Sequence, residues 1–319
     1  MLIWVEPMDR DQEKVVIVGP GAMGCLFAGL LASRERELWL LDHDPERARG
    51  LAERGLIVQR ATGRAAIPVR ATSDAGEIGE ARLVIVCVKA YDTEAAAVAA
   101  RPLVGKTTDV LSLQNGLGNA EVLNRVFGPE RVLAGTTAQG ANLVAAGHVI
   151  HAGAGETVLG EPGGGLARAE KIAALFNAAN IKTTTTGDLT GLVWSKLVIN
   201  AAINPLTALL GVRNGVLPRL DPAREIMASV VAEIAAVCAR RGIRLLHPDP
   251  LAKAYAVAEA TGENISSMLA DVRRKRRTEV GQINGAAAGE AEAVGLAAPV
   301  NLALARLVAA VEASYQWKV

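Results

Sequence analysis

From Lys14 to about residue 187, short β-branched and aliphatic runs alternate with stretches of helical period, the pattern of βαβ units around a parallel sheet. Runs at 14–18 (KVVIV), 37–41 (ELWLL), 83–88 (LVIVCV) and 109–113 (DVLSL) predict strands, with helices near 22–33, 45–54, 91–100 and 119–127 between them. Residues 56–70 alternate in polarity instead and predict two strands turning at Thr62-Gly63. Residues 131–160 predict a further antiparallel pair turning at Ala146-Gly147, followed by a helix over 166–178 and a Thr-rich strand over 183–186.

After Gly187 the strand signals stop. Helical patterns follow at 189–201, 222–241, 249–260, 266–294 and 300–314, punctuated by Pro218, Gly242, Pro248 and Pro299. The change of pattern predicts a leader over 1–13, a Rossmann-type α/β domain with a mostly parallel sheet over 14–187, and an all-α domain over 188–319. Ligands of such a pair are expected in the interdomain cleft.

Composition narrows the function. The chain has 319 residues, enough for two domains with their own cores, and its 34 basic residues almost balance its 33 acidic ones. That balance argues against nucleic acid or an anionic membrane as partner. Cys25, Cys87 and Cys238 are scattered in apolar contexts, so neither a disulfide framework nor a metal site is expected, and a reducing cytoplasm fits. No run of about 18 apolar, charge-free residues predicts a membrane span.

The first chemical signal is Gly19-Pro20-Gly21-Ala22-Met23-Gly24, a GxGxxG placed after a strand and before a helix. Gly19 suits the tight turn, Gly21 the close approach of backbone to a pyrophosphate, and Gly24 the packing of helix on strand. Asp42 lies eighteen residues past Gly24 at the end of the second strand. An acid there is expected to accept the ribose hydroxyls and to repel a 2′-phosphate, which favours NADH over NADPH, although His43 and Arg47 stand close by. Asp42 also reads as a cap for the helix starting at Pro45, a role for which Asp44 is better placed.

In the second half, Lys196, Asn200 and Asn204 recur every four residues and share one face of a helix that is otherwise nearly all apolar. Two asparagines under one lysine solvate poorly and suit hydrogen bonding to a small fixed molecule. The basic run Arg273–Arg277 reads as a solvated helix surface, with Glu279 standing apart just after it. Lys89 and the segment Gln114–Gly118 follow strands at their carboxyl ends, where open α/β sheets bind ligands.

With these features the chain resembles the ketopantoate reductase family. The resemblance rests on the glycine fingerprint, VKAYDT at 88–93, QNGLGN at 114–119, GTT at 135–137, WSKLVINAAINPLTAL at 194–209, ENISSML at 263–269 and RTEVGQING at 277–285. It implies an NAD(P)H-dependent reductase that converts the anionic 2-oxo acid 2-dehydropantoate to (R)-pantoate. It further implies Lys196 as the catalytic lysine, Glu279 as the acid that positions substrate and cofactor, and Asn200, Asn204, Asn214, Asn264 and Ser267 as substrate-binding residues. Lys89, Asn115 and a backbone contact at Ala141 would lie beside the cofactor, with Asn115 also near substrate. Familiar members take NADPH and carry a basic residue near the end of the second strand, where this chain has Asp42. Another small 2-oxo acid remains an alternative substrate, a non-catalytic dinucleotide sensor an alternative function, and the helices at 222–241 and 300–314 offer apolar surface for either a homodimer or the core.

Overall fold

The computed structural model describes residues 13–33 and 36–317, so the expected leader lies, but for Glu13, outside the described residues. These residues gather into two compact units. One comprises the chain up to Gln114 together with Asn119–Gly187, and the other comprises Asn115–Gly118 together with the chain from Asp188 onward.

The α/β unit begins with β1 (Lys14–Val18), α1 (Ala22–Leu31), β2 (Glu37–Leu41) and α2 (Pro45–Arg54). Asp44 starts α2 by accepting the N–H groups of Glu46 and Arg47 at 3.0 and 3.1 Å, with Pro45 at the first helical position, where a missing N–H costs nothing. Next come β3 (Leu56–Arg60), β4 (Gly63–Ile67), β5 (Arg70–Thr72), α3 (Ala75–Ile78), β6 (Leu83–Val86), α4 (Thr93–Ala99), β7 (Asp109–Ser112) and α5 (Asn119–Phe127). The unit closes with β8 (Val132–Thr137), β9 (Gly140–Ala145), β10 (His148–Gly153), β11 (Thr157–Gly160), α6 (Ala167–Ala178) and β12 (Thr183–Thr185).

Eight strands form one sheet in the order β12-β11-β8-β7-β6-β1-β2-β5. All its pairs are parallel except β8 with β11. The run β5-β2-β1-β6-β7-β8 is the strand order of doubly wound dinucleotide-binding sheets, with the reversal of direction beside β1. Val15, Val16, Ile17, Val84 and Ile85 are fully buried because helices cover both faces, which explains the unbroken apolar runs read from the sequence.

The alternating segment 131–160 turns at Ala146-Gly147 as expected, the segment 56–70 turns one residue earlier than expected, at Ala61-Thr62, and the two segments also join each other. Strands β3 and β10 pair in parallel, Ile57 opposite His148, and complete a second sheet of order β4-β3-β10-β9. This sheet packs on α1: Gly29 of α1 approaches Val58 so closely that a Cβ there would collide with its side chain.

The helical unit holds α7 (Leu189–Leu210), α8 (Asp221–Arg241), α9 (Pro250–Ala260), α10 (Ser267–Arg273), α11 (Ala286–Ala293) and α12 (Pro299–Ala313). Its core forms around Leu197, Val198, Met227, Val230, Ile283 and Val308. By length and composition α7 could cross a bilayer, but 72% of its apolar window is buried inside the protein.

Two helical expectations need correction. The helix predicted over 189–201 continues through Pro205 to Leu210. Proline removes the N–H that would reach Ala201, and the carbonyl of Ala201 takes a hydrogen bond from Asn284 Nδ2 at 3.1 Å instead. The single helix predicted over 266–294 is broken. Helix α10 stops at Arg273, Lys275 turns left-handed (φ +53°), and the N–H of Arg276 returns to the carbonyl of Asp271 at 2.9 Å, a helix-ending loop that usually holds glycine. Five adjacent positive charges disfavour continuing the helix, since like charges one turn apart repel. Gly281–Gly285 then form a wider π-helical turn that leads into α11.

Candidate active site

At the reversal point of the large sheet, Gly19 bonds through its N–H to the carbonyl of Leu41 at 2.9 Å and turns with φ +89°. A Cβ at Gly19 would lie 2.5 Å from the Val88 side chain, and one at Gly24 would collide with the carbonyl of Gly19. Gly21 differs: a Cβ there would meet nothing within 4 Å, so open space lies beside the backbone where α1 begins. No side chain caps α1, and its first N–H groups have no partner within the helix. Unfilled space, bare N–H groups and the positive end of the helix dipole fit a dinucleotide pyrophosphate. The fingerprint Gly19, Pro20, Gly21, Ala22, Met23 and Gly24 thus forms one cradle.

Asp42 stands at the end of β2 in a closely paired state. Its side chain is fully covered, and both carboxylate oxygens bind Arg47, one to Nε and the other to Nη2. Oδ1 also accepts the N–H of Asp44 at 3.1 Å, and His43 Nδ1 lies 3.5 Å from it. A carboxylate enclosed and neutralised in this way presents no open acceptor to a ribose. Arg47 instead carries the exposed polarity, with 35% of its side chain accessible. Asp42 holds the guanidinium in its charged form above the usual arginine range.

The loops after β6 and β7 are laced together by side chains. Gln114 Nε2 donates to the carbonyl of Val88 at 2.9 Å and to the hydroxyl of Thr93 at 2.8 Å, and Asn119 Oδ1 lies 3.0 Å from the same hydroxyl. Thr93 and Asn119 are buried, so this lacing fixes the backbone on either side of Lys89, which stands just after β6. Ala141 sits on the edge strand β9 of the small sheet, where its side chain packs against the core of the α/β unit together with Met23.

In the helical unit, α7 carries Lys196, Asn200 and Asn204 on one face. Burial pulls the Lys196 ammonium down to about 8, and the opposing pull comes from the nearby charge of Glu279. Glu279 is 6% exposed and lies between the end of α10 and the π turn. One turn from Lys196, Asn200 Nδ2 lies 3.5 Å from Asn115 Oδ1. The loop bearing Asn115 is docked by two contacts at the π turn. Leu117 donates its N–H to the carbonyl of Gln282 at 2.9 Å, and Gly116 (φ +84°) approaches so closely that a Cβ would sit 2.5 Å from that oxygen. Lys196, Glu279, Asn200 and Asn115 therefore converge around α7 and the π turn. A lysine poised near neutrality among amide donors can protonate a developing oxyanion.

The remaining expected residues occupy a neighbouring stretch. Asn214 is buried, gives Nδ2 to Thr261 at 2.9 Å, and bonds through its N–H to the carbonyl of Asn264 at 3.0 Å; its Oδ1 has no partner. Asn264 and Ser267 are exposed, Ser267 as the first residue of α10. The cap of α10 is Ser266, and its hydroxyl lies 2.7 Å from that of Thr207, which in turn bonds the carbonyl of Asn204 at 2.9 Å. Sequence reasoning missed Gln114, Thr93, Asn119, Thr207 and Ser266 as scaffolding. All five lie inside the motifs already quoted.

Comparison with known proteins finds relatives over nearly the whole chain. The sequence model described as ketopantoate reductase PanE/ApbA matches residues 15–164, and its C-terminal counterpart matches residues 188–312. A 2-dehydropantoate 2-reductase of Halobacterium salinarum is 39% identical over 301 residues, covering 92% of this chain and 97% of that protein. A PanE/ApbA family ketopantoate reductase from Ralstonia eutropha superposes with a TM-score of 0.86 at 34% identity, over 95% of this chain and 99% of the other. A D-mandelate dehydrogenase solved with NADH and anilino(oxo)acetate superposes with a TM-score of 0.88 at 27% identity, over 94% and 98%.

Proposed function

The chain belongs to the ketopantoate reductase PanE/ApbA family, and we propose on that premise that it reduces 2-dehydropantoate to (R)-pantoate with Lys196 as proton donor. The observation that carries the reading is the half-buried Lys196, its ammonium lowered to about 8 by desolvation against the pull of Glu279, one helical turn from the Asn200–Asn115 pair. A reduced nicotinamide dinucleotide, held by its pyrophosphate at the glycine cradle, would supply the hydride for C2 of the oxo acid. Charge then builds on the carbonyl oxygen, and Lys196 gives that oxygen a proton from its ammonium, becoming a neutral amine that solvent reprotonates. Asn200, Asn204 and Glu279 would hold the substrate hydroxyl and fix the reactive conformer. Ser267 and Asn264, exposed at the start of α10, are the residues for the substrate carboxylate, with Asn214 behind them.

The cofactor reading follows the geometry of Asp42. With that carboxylate paired to Arg47, its charge no longer disfavours a 2′-phosphate, and the accessible part of the Arg47 guanidinium offers N–H donors at the end of β2. NADPH is therefore bound at least as well as NADH, and the NADH preference expected from Asp42 is given up. Lys89 and Ala141 are retained as cofactor neighbours in this reading. The reaction belongs in the cytoplasm, where Cys25, Cys87 and Cys238, all free, stay reduced.

The likeness to D-mandelate dehydrogenase favours one second reading, reduction of a different small 2-oxo acid. Side-by-side kcat/KM for 2-dehydropantoate with NADPH and with NADH, and for a panel of 2-oxo acids that includes the aromatic acid yielding mandelate, tests both. Highest turnover of 2-dehydropantoate supports the proposal. Stronger turnover of another acid selects the second reading, and tight NADPH binding with no turnover of any acid would point to a sensor.

A further inference from the structure

Glu279 acts on Lys196 from an unusual piece of chain. It is preceded by a run of five exposed basic residues, Lys275 among them left-handed, and it is followed by a π turn, so no regular helix holds it in register. What holds the residue before it is the end of α12. The N–H and the hydroxyl of Thr278 both donate to Glu312 Oε1, at 2.8 and 2.6 Å, and Thr278 is only 2% exposed. One turn further on, the hydroxyl of Tyr315 donates to the carbonyl of Arg276 at 3.0 Å. On the other side, the carbonyl of Glu279 accepts the N–H groups of Gln282 and Ile283, each at 3.1 Å, which binds it into the π turn. Glu279 is thus pinned from both directions, upstream by a single carboxylate oxygen that takes two hydrogen bonds. Two hydrogen bonds to one acceptor oxygen fix both the backbone and the side chain of Thr278.

We propose that Glu312 is a positioning residue for catalysis, which acts by anchoring Thr278 and so keeps Glu279 where its charge reaches Lys196. The inference rests on the reading of Lys196 as proton donor. The charge of Glu279 raises the Lys196 ammonium against the effect of burial, so a displaced Glu279 weakens that support and the lysine loses its proton at lower pH.

The test is the pH profile of kcat for the intact enzyme with saturating NADPH and 2-dehydropantoate. In Glu312→Ala the alkaline limb moves to lower pH by about half a unit or more, while the dissociation constant for NADPH, measured by fluorescence, stays as in the parent. Glu312→Gln keeps an acceptor oxygen and drops the charge, and it is expected to retain the parent limb, which separates positioning from direct electrostatics. Thr278→Ala repeats the experiment from the other partner should Glu312→Ala fail to fold. A limb unmoved in both Glu312→Ala and Thr278→Ala, with Glu279→Gln moving it, overturns the proposal and leaves the reading of Lys196 intact. A limb that neither Glu279→Gln nor Lys196→Arg moves overturns the reading, and the proposal falls with it.

Discussion

Asn284 and Pro205 are complementary: the proline withdraws an N–H from α7, and the asparagine supplies one to the same carbonyl, that of Ala201. Asn284 is fully buried and belongs to the π turn, and its Nδ2 also donates to Asn301 Oδ1 at 3.0 Å. Asn301 passes the connection to α8 through the carbonyl of Val230 at 3.2 Å and Glu233 Oε2 at 2.7 Å. The helix that carries Lys196 is therefore tied to the turn that follows Glu279.

That pairing predicts a coupling measurable by urea unfolding. Asn284→Ala leaves the Ala201 carbonyl buried and unpaired and is expected to cost about 1–3 kcal/mol. In a Pro205→Ala background the helix supplies its own N–H, and the same substitution becomes cheaper by about 1 kcal/mol. Equal costs in the two backgrounds would show that the asparagine does not compensate the proline.

Removing the ammonium should separate chemistry from binding. Lys196→Ala is expected to lower kcat by about 10²–10⁴-fold, the range for a positioned general acid, with the NADPH dissociation constant unchanged. Stopped-flow single turnovers and fluorescence titration read the two quantities independently, and an unaltered kcat takes Lys196 out of the reaction.

The pH dependence follows from the sign of the shift. Burial lowers the Lys196 ammonium from 10.5 to about 8, and the protonated form is the acid, so reduction should be fast below that value and fall as pH rises through it. Glu279→Gln removes the charge that opposes burial, which moves the alkaline limb to lower pH. A limb displaced upward in this variant would contradict the assignment.

Cofactor discrimination should reside in Arg47. Arg47→Ala is expected to weaken NADPH by about 10–100-fold, the loss of a charge-assisted contact, and to leave NADH nearly unaffected. Asp42→Asn tests the anchor: a loosened guanidinium should lower the preference for NADPH over NADH. Titrations with both dinucleotides decide, and parallel losses for the two would place Arg47 away from the 2′-phosphate.

How far the sequence reaches depends on how local each cause is. The large sheet was legible because strands buried on both faces read as unbroken apolar runs, and the lysine and asparagines of α7 because a spacing of four is visible without any partner. The extent of α7 was not legible, since a proline ordinarily ends a helix and the donor that rescues it comes from Asn284, far along the chain. The break after Arg273 hid inside an apolar period that resumes beyond it, and its left-handed residue is a lysine where glycine is usual. The pairing of β3 with β10 joins segments about ninety residues apart, which no turn signal announces. The pairing of Asp42 was not legible because the guanidinium that folds back onto it lies five residues later. The contact of Glu312 with Thr278 was not legible either, because it joins positions 34 apart.

The four residues Asn115–Gly118 belong to the helical unit although the chain on either side of them belongs to the α/β unit. A fragment cut at Gly187 would divide the polypeptide where its pattern changes and still leave the C-terminal piece incomplete. Starting at Asp188, it would lack the amide that caps the Gln282 carbonyl and the partner of Asn200. The helical unit is discontinuous in the gene, so its excision or its exchange with another family member requires carrying a short peptide from the middle of the first half, and during synthesis that peptide emerges long before the surface that receives it.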